Sequence, residues 1–205
     1  MRFREFEPRL RNISVFTLND LRKIDPGFHR QQLNAWLGRG YVKAVAGGRY
    51  ILANEVFTES FLWMLANKLC DPSYISLESA LVYHQVIPES VLGVTSVSSR
   101  KTHTFESKWG TFSYRSVLPH LMFGYEVVEG GPNRKFSMAR LEKAILDYLY
   151  LNPKINTVEE FAELRWSREH LLPVVQNDLF RDYLAVFNKQ ALRSRVDQLM
   201  RHLNA

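Results

Sequence analysis

Residues 17–52, TLNDLRKIDPGFHRQQLNAWLGRGYVKAVAGGRYIL, decide the fold of the first quarter of the chain. Thr17 precedes a short helical run, and Asp20 follows three residues later, which is the spacing of a helix cap and its returning carboxylate. Asp25-Pro26-Gly27 ends this run, because proline has no amide hydrogen with which to continue a helix. The stretch therefore begins with one short helix and a turn.

A second helix follows the turn. Leu33, Trp36 and Leu37 stand at i, i+3 and i+4, so they share one face that can be buried. The other side of this helix carries Gln31, Asn34, Ala35 and Gly38. We expect an apolar inner face and a polar outer face.

A tight hairpin completes the stretch. Residues 41–45 alternate like a strand, Gly47-Gly48 supplies a turn with positive φ, and residues 49–52 return as a second strand. Upstream, apolar residues recur every three or four positions and predict an opening helix over residues 3–16; they are Phe3, Phe6, Leu10, Ile13 and Phe16. Helix, helix-turn-helix and hairpin together outline a winged helix-turn-helix domain over residues 1–53.

The charge of the chain is concentrated in this segment. Residues 1–53 hold ten basic and four acidic side chains, which accounts for the whole net charge of +6, whereas residues 54–205 hold seventeen of each sign. A phosphate backbone attracts such a basic unit by releasing counterions, and helix-turn-helix proteins place their second helix in the major groove. The pattern favours binding to double-stranded DNA.

Side-chain chemistry assigns roles within the unit. Gln31 and Asn34 have amides that can pair with adenine, and Arg30 can pair with guanine or a phosphate. We interpret His29 as lying nearer the Leu33 side and covering the core. Phosphate contacts from the first helix, the end of the second helix and the hairpin are expected from Arg22, Lys23, Arg39, Lys43 and Arg49.

Residues 54–205 predict a mixed domain, which makes the fold class α+β. An apolar helix is expected over residues 54–69, and a helix capped by Ser76 over residues 77–85. Alternation and β-branching over residues 91–128 predict a small antiparallel sheet of three or four strands. The helical tail, at about residues 153–205, is expected to contain helices over 157–165, 167–176, 177–187 and 189–203.

An amphipathic helix precedes this tail. Ser137 is predicted to cap it, with Glu142 and Lys143 on the outer face. Lys143 and Asp147 are one turn apart, a spacing that suits an ion pair as well as a catalytic pair. The last helix carries four apolar residues in register, which fits either a core helix or a surface that docks a partner.

Enzymatic chemistry finds little support. The six histidines are dispersed, and HExxH, GxSxG, P-loop and GxGxxG motifs are absent from the sequence, so no catalytic residue, metal or cofactor is predicted. Cys70 is the only cysteine, which excludes an internal disulfide. The chain also lacks the run of about 20 apolar residues that a membrane span needs. We expect a non-enzymatic cytoplasmic protein.

Four segments taken in order resemble the AbiEi-type antitoxins of type IV toxin–antitoxin systems, which are linked to phage defence. They are GRGYVKAVAGGRYIL, YISLESALVYHQVIPE, VTSVSSRKTHTFESKWGTFSYRSV and ARLEKAILDYLY. The resemblance spans most of residues 15–152. The tail after Pro153 matches nothing in the family pattern.

The resemblance implies an autorepressor and antitoxin. The first domain would bind inverted repeats in its own promoter, and the second would counter a nucleotidyltransferase-like toxin without needing a stable complex. Arg22, Lys23, Arg30, Gln31, Asn34, Arg39, Lys43 and Arg49 match the DNA-binding module. The alternative is a stand-alone transcriptional regulator whose second domain binds a ligand or dimerises.

Overall fold

The computed structural model describes residues 3–88 and 92–205. The first unit consists of α1 (Phe3–Ile13), β1 (Val15–Thr17), α2 (Leu18–Ile24), α3 (Arg30–Gly38), β2 (Val42–Ala44) and β3 (Arg49–Leu52). Val91, the start of the predicted sheet region, lies outside the described residues. The two helices and the hairpin predicted from residues 17–52 are confirmed.

Local sequence explains where these elements begin and turn. The side chain of Thr17 accepts from the Asp20 amide at 3.3 Å, and the Asp20 carboxylate accepts from the Thr17 amide at 3.0 Å. Burial by itself would raise the pKa of Asp20, but the hydrogen bonds from Thr17 and Lys23 hold it below its usual value. Gly47 and Gly48 have φ values of 54° and 72°, which is the conformation that the hairpin turn requires.

The first unit contains one strand more than the sequence predicted. β1, β3 and β2 form an antiparallel sheet in that order, with Phe16 opposite Tyr50. The prediction of a helix through Phe16 was therefore wrong: α1 ends at Ile13, and Ser14 has a φ of 60°. Phe16 continued the helical spacing by chance, and strand pairing with β3 overrides it.

The second unit is built on a larger sheet. Its first elements are α4 (Glu59–Leu69), β4 (Ser73–Ile75), α5 (Leu77–Tyr83), β5 (Val94–Ser98), β6 (His103–Ser107) and β7 (Gly110–Ser116). A single 3-10 turn (Pro119–Leu121) leads to β8 (Tyr125–Glu129) and β9 (Lys135–Ala139). The sheet order is β6-β7-β5-β4-β9-β8.

This sheet corrects the prediction of three or four antiparallel strands. It has six strands and is mixed, because β5 pairs with β7 and β4 pairs with β9 in parallel. The sequence pattern missed β4, which has only three residues. It also missed β9, because Ser137 looked like a helix cap although it lies inside that strand.

Helices cover both faces of the six-stranded sheet. The Tyr114 hydroxyl donates to the Ala66 carbonyl of α4 at 2.7 Å, whereas the next residue, Arg115, donates to the Leu151 carbonyl at 2.8 Å. Leu151 ends α6 (Leu141–Leu151), and adjacent strand residues point to opposite faces. The sheet is therefore sandwiched between α4 and α6.

The helical tail is confirmed. It contains α7 (Val158–Glu163), α8 (Arg168–Val175), α9 (Asp178–Phe187) and α10 (Gln190–Asn204). The apolar stripe of α10 is buried and consists of Leu192, Val196, Leu199 and Leu203. Of the two alternatives for this helix, the structure favours the core helix.

The two units share packing through the small sheet. Val15 and Ile51 belong to the larger core, whereas Phe16 and Leu52 belong to the smaller one, so each face of the small sheet serves a different core. The turn of the β2–β3 hairpin lies on the second unit, where the Cβ position of Gly47 is 3.5 Å from the Phe105 ring. Within the described ranges, no helix is long and apolar enough to cross a membrane.

Candidate nucleic-acid interface

The outer face of α3 is open to solvent. Gln31, Asn34 and Ala35 are exposed, and Gly38 is exposed with nothing within 4 Å of its Cβ position. At 100° per residue these four positions lie opposite the buried Leu33 and Trp36. Two amide side chains are thus presented beside two small residues, which leave room for another surface to approach the helix.

Aromatic packing fixes the orientation of α3. The Trp36 ring lies 5.1 Å from Phe3, 5.1 Å from Phe6 and 4.9 Å from Phe28, measured between ring centroids. Phe28 lies in the turn before α3, and the other two rings come from α1. The buried side of α3 is consequently fixed by aromatic contacts, and its polar face is left facing solvent.

Arginines stand at both ends of this face. Arg30 begins α3 and Arg39 follows it, and both are exposed. Within residues 3–88 and 92–205, the side chains of these two arginines and of Gln31 and Asn34 make no hydrogen bond or ion pair. All four are available to a ligand.

Two more predicted residues lie on α2. Lys23 forms an ion pair with Asp20 at 3.0 Å, and the Arg22 Nε lies 3.5 Å from the Phe28 carbonyl oxygen, at the long limit of a hydrogen bond. Both side chains are exposed. Surface contacts of this kind contribute little energy, so they leave both cations able to reach a phosphate.

The two hairpin residues are arranged differently. Lys43 and Arg49 are half-buried on the sheet face that carries Ile51, which is turned toward the second unit. The Lys43 ammonium donates to the Ala53 carbonyl at 2.5 Å, and the Arg49 Nε donates to the Lys68 carbonyl at 2.9 Å. These hydrogen bonds hold both cations against the protein, although each side chain retains further N–H donors.

His29 is not the core cover that the sequence analysis expected. It is exposed at the start of α3, where its amide donates to the Gln32 side chain at 2.7 Å, and Phe28 fills the core position instead. The helix wheel placed His29 near Leu33, but residue 29 precedes the helix and does not follow its geometry.

A groove beside α3 contains a basic residue that sequence reasoning did not single out. It has a volume of about 650 Å³ and runs between α1 and α3, with Arg4 and Arg39 among its lining residues and Trp36 and Tyr41 as aromatic neighbours. Arg4 is exposed. Arg4 lies near Arg39 because α1 packs against α3, and the sequence pattern did not predict the relative position of these two helices.

A second polar cluster lies deep in the larger unit. Lys143 was expected on the outer face of its helix, but Lys143 and Asp147 are both fully buried; of the two interpretations of their spacing, the structure favours the ion pair. The Tyr74 and Ser76 hydroxyls donate to Asp147 Oδ2 at 2.8 Å and 2.9 Å, and Lys143 Nζ donates to the Tyr74 oxygen at 2.8 Å. Ser76 therefore bonds to α6 and does not cap α5 with its side chain.

Burial governs the electrostatics of this cluster. Desolvation lowers the pKa of Lys143 and raises the pKa values of Asp147 and Tyr74, while the attraction between the ammonium and the carboxylate opposes the first two changes. The Phe123 and Phe187 rings lie 5.0 Å and 4.9 Å from the ammonium. Enclosed in this way, the cluster has no access for a substrate.

No metal-binding group is evident within the described ranges, where no set of three or more His, Cys, Asp or Glu side chains is gathered closely enough to hold an ion.

No protein-family model matches the chain, and no curated protein sequence is significantly similar to it. The features that bear on function are therefore the geometry of α3 and the resemblance of four sequence segments to AbiEi-type antitoxins.

Proposed function

We propose that residues 1–53 form a winged helix-turn-helix that binds double-stranded promoter DNA, and that the protein represses transcription from that promoter. The observation that carries the proposal is the open face of α3, where Gln31 and Asn34 stand between Arg30 and Arg39. A helix of this size fits the major groove, and amides and guanidinium groups at its surface are the side chains that read base edges and phosphates.

The arrangement also suggests which residues make the contacts. Arg30, Gln31, Asn34 and Arg39 are free to bind, whereas Lys43 and Arg49 are engaged with the protein. We propose that α3 carries base reading, that Arg22, Lys23 and Arg39 contact phosphates, and that the hairpin supports the helix from the side of the second unit.

A matched pair of substitutions tests base reading. The test compares binding to a DNA duplex from the region upstream of the protein's own gene with binding to a duplex of scrambled sequence. Gln31→Ala should reduce the preference for the upstream duplex by about 1–3 kcal/mol if the amide makes two hydrogen bonds to a base. Gln190→Ala, at an exposed position on α10, should leave the preference unchanged. Equal affinity of the wild-type protein for both duplexes would overturn the proposal.

We further propose, from the resemblance to AbiEi-type antitoxins, that the second unit counters a nucleotidyltransferase-like toxin. Two of the resembling segments form α5 and α6, and the Ser76–Asp147 hydrogen bond links them in the core. Co-expression with a toxin encoded beside the gene is the test: rescue of growth supports the antitoxin role, and unrelieved toxicity defeats it.

One observation favours the alternative of a ligand-controlled regulator. A cavity of about 160 Å³ lies between α4, α5 and β7, with Trp63, Trp109 and Phe112 among its lining side chains. Glu59 and Ser79 also line it, so the lining is only partly apolar; an engineered, fully apolar cavity of about 150 Å³ in another protein holds benzene. A shift in DNA affinity on addition of benzene, abolished by Val82→Trp at the cavity wall, would favour this alternative over the antitoxin.

A further inference from the structure

One edge of the six-stranded sheet is open. β8 is the terminal strand, and within the described ranges it pairs only with β9, in an unbroken register from Tyr125 opposite Ala139 to Glu129 opposite Lys135. The strand at the other end, β6, has the Gly47 turn against its Phe105 ring. Among the described elements only β9 pairs with β8, so the outer edge of β8 is free to hydrogen-bond a further strand.

The hydrogen bonds flanking β8 show which of its backbone groups point outward. The Gly130 amide donates to the Arg134 carbonyl at 2.7 Å, and the Arg140 amide donates to the Gly124 carbonyl at 2.9 Å. Because bonded and non-bonded pairs alternate in an antiparallel ladder, the even-numbered residues of β8 bond to β9. The N–H and C=O groups of Tyr125, Val127 and Glu129 consequently face away from the sheet.

The side chains of this edge do not prevent pairing. Val127 is 64% exposed and Tyr125 is 39% exposed. The two acidic residues are already neutralised, since Glu126 pairs with Arg140 at 3.1 Å and Glu129 pairs with Lys135 at 2.6 Å. Proteins usually protect an open edge with charged side chains, proline or a bulge; β8 contains two glutamates, both of them paired, but no lysine, proline or bulge.

We propose that β8 is a dimerisation edge, along which two copies of the chain pair antiparallel about a two-fold axis through Val127. This register places Val127 opposite its own copy, Tyr125 opposite Glu129 and Glu126 opposite Val128. No acid faces an acid, and the outward groups of three residues on each strand form about six backbone hydrogen bonds. A register centred on Glu129 would bring two carboxylates together, and one centred on Tyr125 would pair most of the strand with residues that precede it, so charge pattern and strand length together favour Val127.

The dimer places two copies of α3 in one two-fold assembly. The inference does not rest on DNA binding, because it follows from the sheet edge alone. If the proposed function also holds, the preferred operator has two-fold symmetry.

Light scattering coupled to gel filtration tests the dimer. Over about a hundredfold range of protein concentration, the wild-type chain should pass from 24.0 kDa toward twice that mass. Val127→Lys should remain at the monomer mass, because it places a charge at the centre of the edge. Val56→Lys is the control, since Val56 is 65% exposed and lies outside the strand, in the segment between β3 and α4.

Cross-linking tests the register. Cα atoms of a bonded antiparallel pair lie about 5.5 Å apart, and their Cβ atoms are farther apart than the roughly 3.5–4.5 Å that a disulfide prefers, so a short bifunctional thiol reagent is the suitable cross-linker. Val127→Cys should therefore be joined to its own copy by this reagent, while Val56→Cys should not. Cys70, the only native cysteine, is 3% exposed. A wild-type protein that is monomeric at every concentration, or a dimer unaffected by Val127→Lys and not cross-linked through position 127, would overturn the inference.

Discussion

Lys143 and Asp147 are charged side chains that are completely buried from solvent. Removing two charges from solvent is expensive, and their attraction compensates only when the remaining polar atoms are also bonded. Here Tyr74 and Ser76 supply the additional bonds, and Tyr74 links the ammonium to the carboxylate. The cluster ties β4 and the start of α5 to α6 inside the core.

Removing one charge from this cluster should be costly. Lys143→Met should lower the free energy of unfolding by about 3–5 kcal/mol, because it leaves the Asp147 carboxylate buried without a counterion. The double variant Lys143→Met/Asp147→Leu should lose less than the single one, since no buried charge remains. Urea unfolding measures both.

The control for this prediction is an exposed ion pair. Lys135→Met removes the partner of Glu129 at the protein surface, where solvent screens the interaction, and should change the unfolding midpoint little. If Lys143→Met proves no more damaging than Lys135→Met, the buried pair does not stabilise the fold as described.

At the scale of the secondary-structure elements, the clearest steric constraint is the close contact between β7 and the loop that precedes β5. Gly93 has a φ of 93°, and a Cβ on it would lie 2.4 Å from the Thr111 carbonyl oxygen. Gly131, in the turn between β8 and β9, has a φ of 125° and open space around it. The two glycines share the conformational requirement but differ in steric crowding.

Alanine substitutions separate these two effects. Gly131→Ala should cost about 1–3 kcal/mol of unfolding free energy from backbone strain alone. Gly93→Ala should cost more, because the strand backbone must also move away from the new methyl group. Thermal unfolding of the two variants measures the difference, and equal losses would show that the contact with Thr111 imposes no constraint.

Elements specified by local signals were predictable from the sequence. The Thr17 cap, the Gly47-Gly48 turn and the helix starts after Thr157 and Asn177 depend on residues within a few positions, and the structure confirms them. β1 and β4 depend on pairing with strands farther along the chain and have only three residues each, whereas the prediction of a helix cap at Ser137 concealed β9. Local patterns therefore missed them.

At the scale of the whole molecule, one arginine fastens the connection between the two units. Arg134 pairs with Glu55 at 2.7 Å and donates to Thr58 Oγ1 at 2.8 Å, and its guanidinium lies over the Phe61 ring. Glu55 belongs to the segment between β3 and α4, whereas Arg134 belongs to the turn before β9. This contact fixes the direction in which the chain leaves the small sheet.

Breaking that connection should loosen the first unit. Arg134→Ala should cost about 1.5–3 kcal/mol, the range for hydrogen bonds to charged groups, and should accelerate hydrogen exchange in β2 and β3. Arg140→Ala, which removes an exposed pair with Glu126, is the matched control. Unchanged exchange in the hairpin of the Arg134 variant would show that the units are held together by apolar packing alone.

The candidate interface was predictable only where it depends on spacing within one helix. The polar face of α3 follows from the spacing of Leu33 and Trp36, and its exposure is as expected. The orientation of Lys43 and Arg49 was not predictable, because it depends on how the small sheet docks on α4 and β6. The burial of Lys143 was likewise hidden, since a lysine in an amphipathic helix ordinarily lies on the outside.

We propose that α3, and not the hairpin, makes the principal contacts with duplex DNA. The most direct measurement is the salt dependence of affinity for the upstream duplex, made with the wild-type protein, Arg39→Ala and Lys43→Ala. Each lost phosphate contact lowers the slope of log affinity against log salt by about one. We expect this loss for Arg39→Ala and none for Lys43→Ala. A loss for Lys43→Ala with none for Arg39→Ala would contradict this proposal.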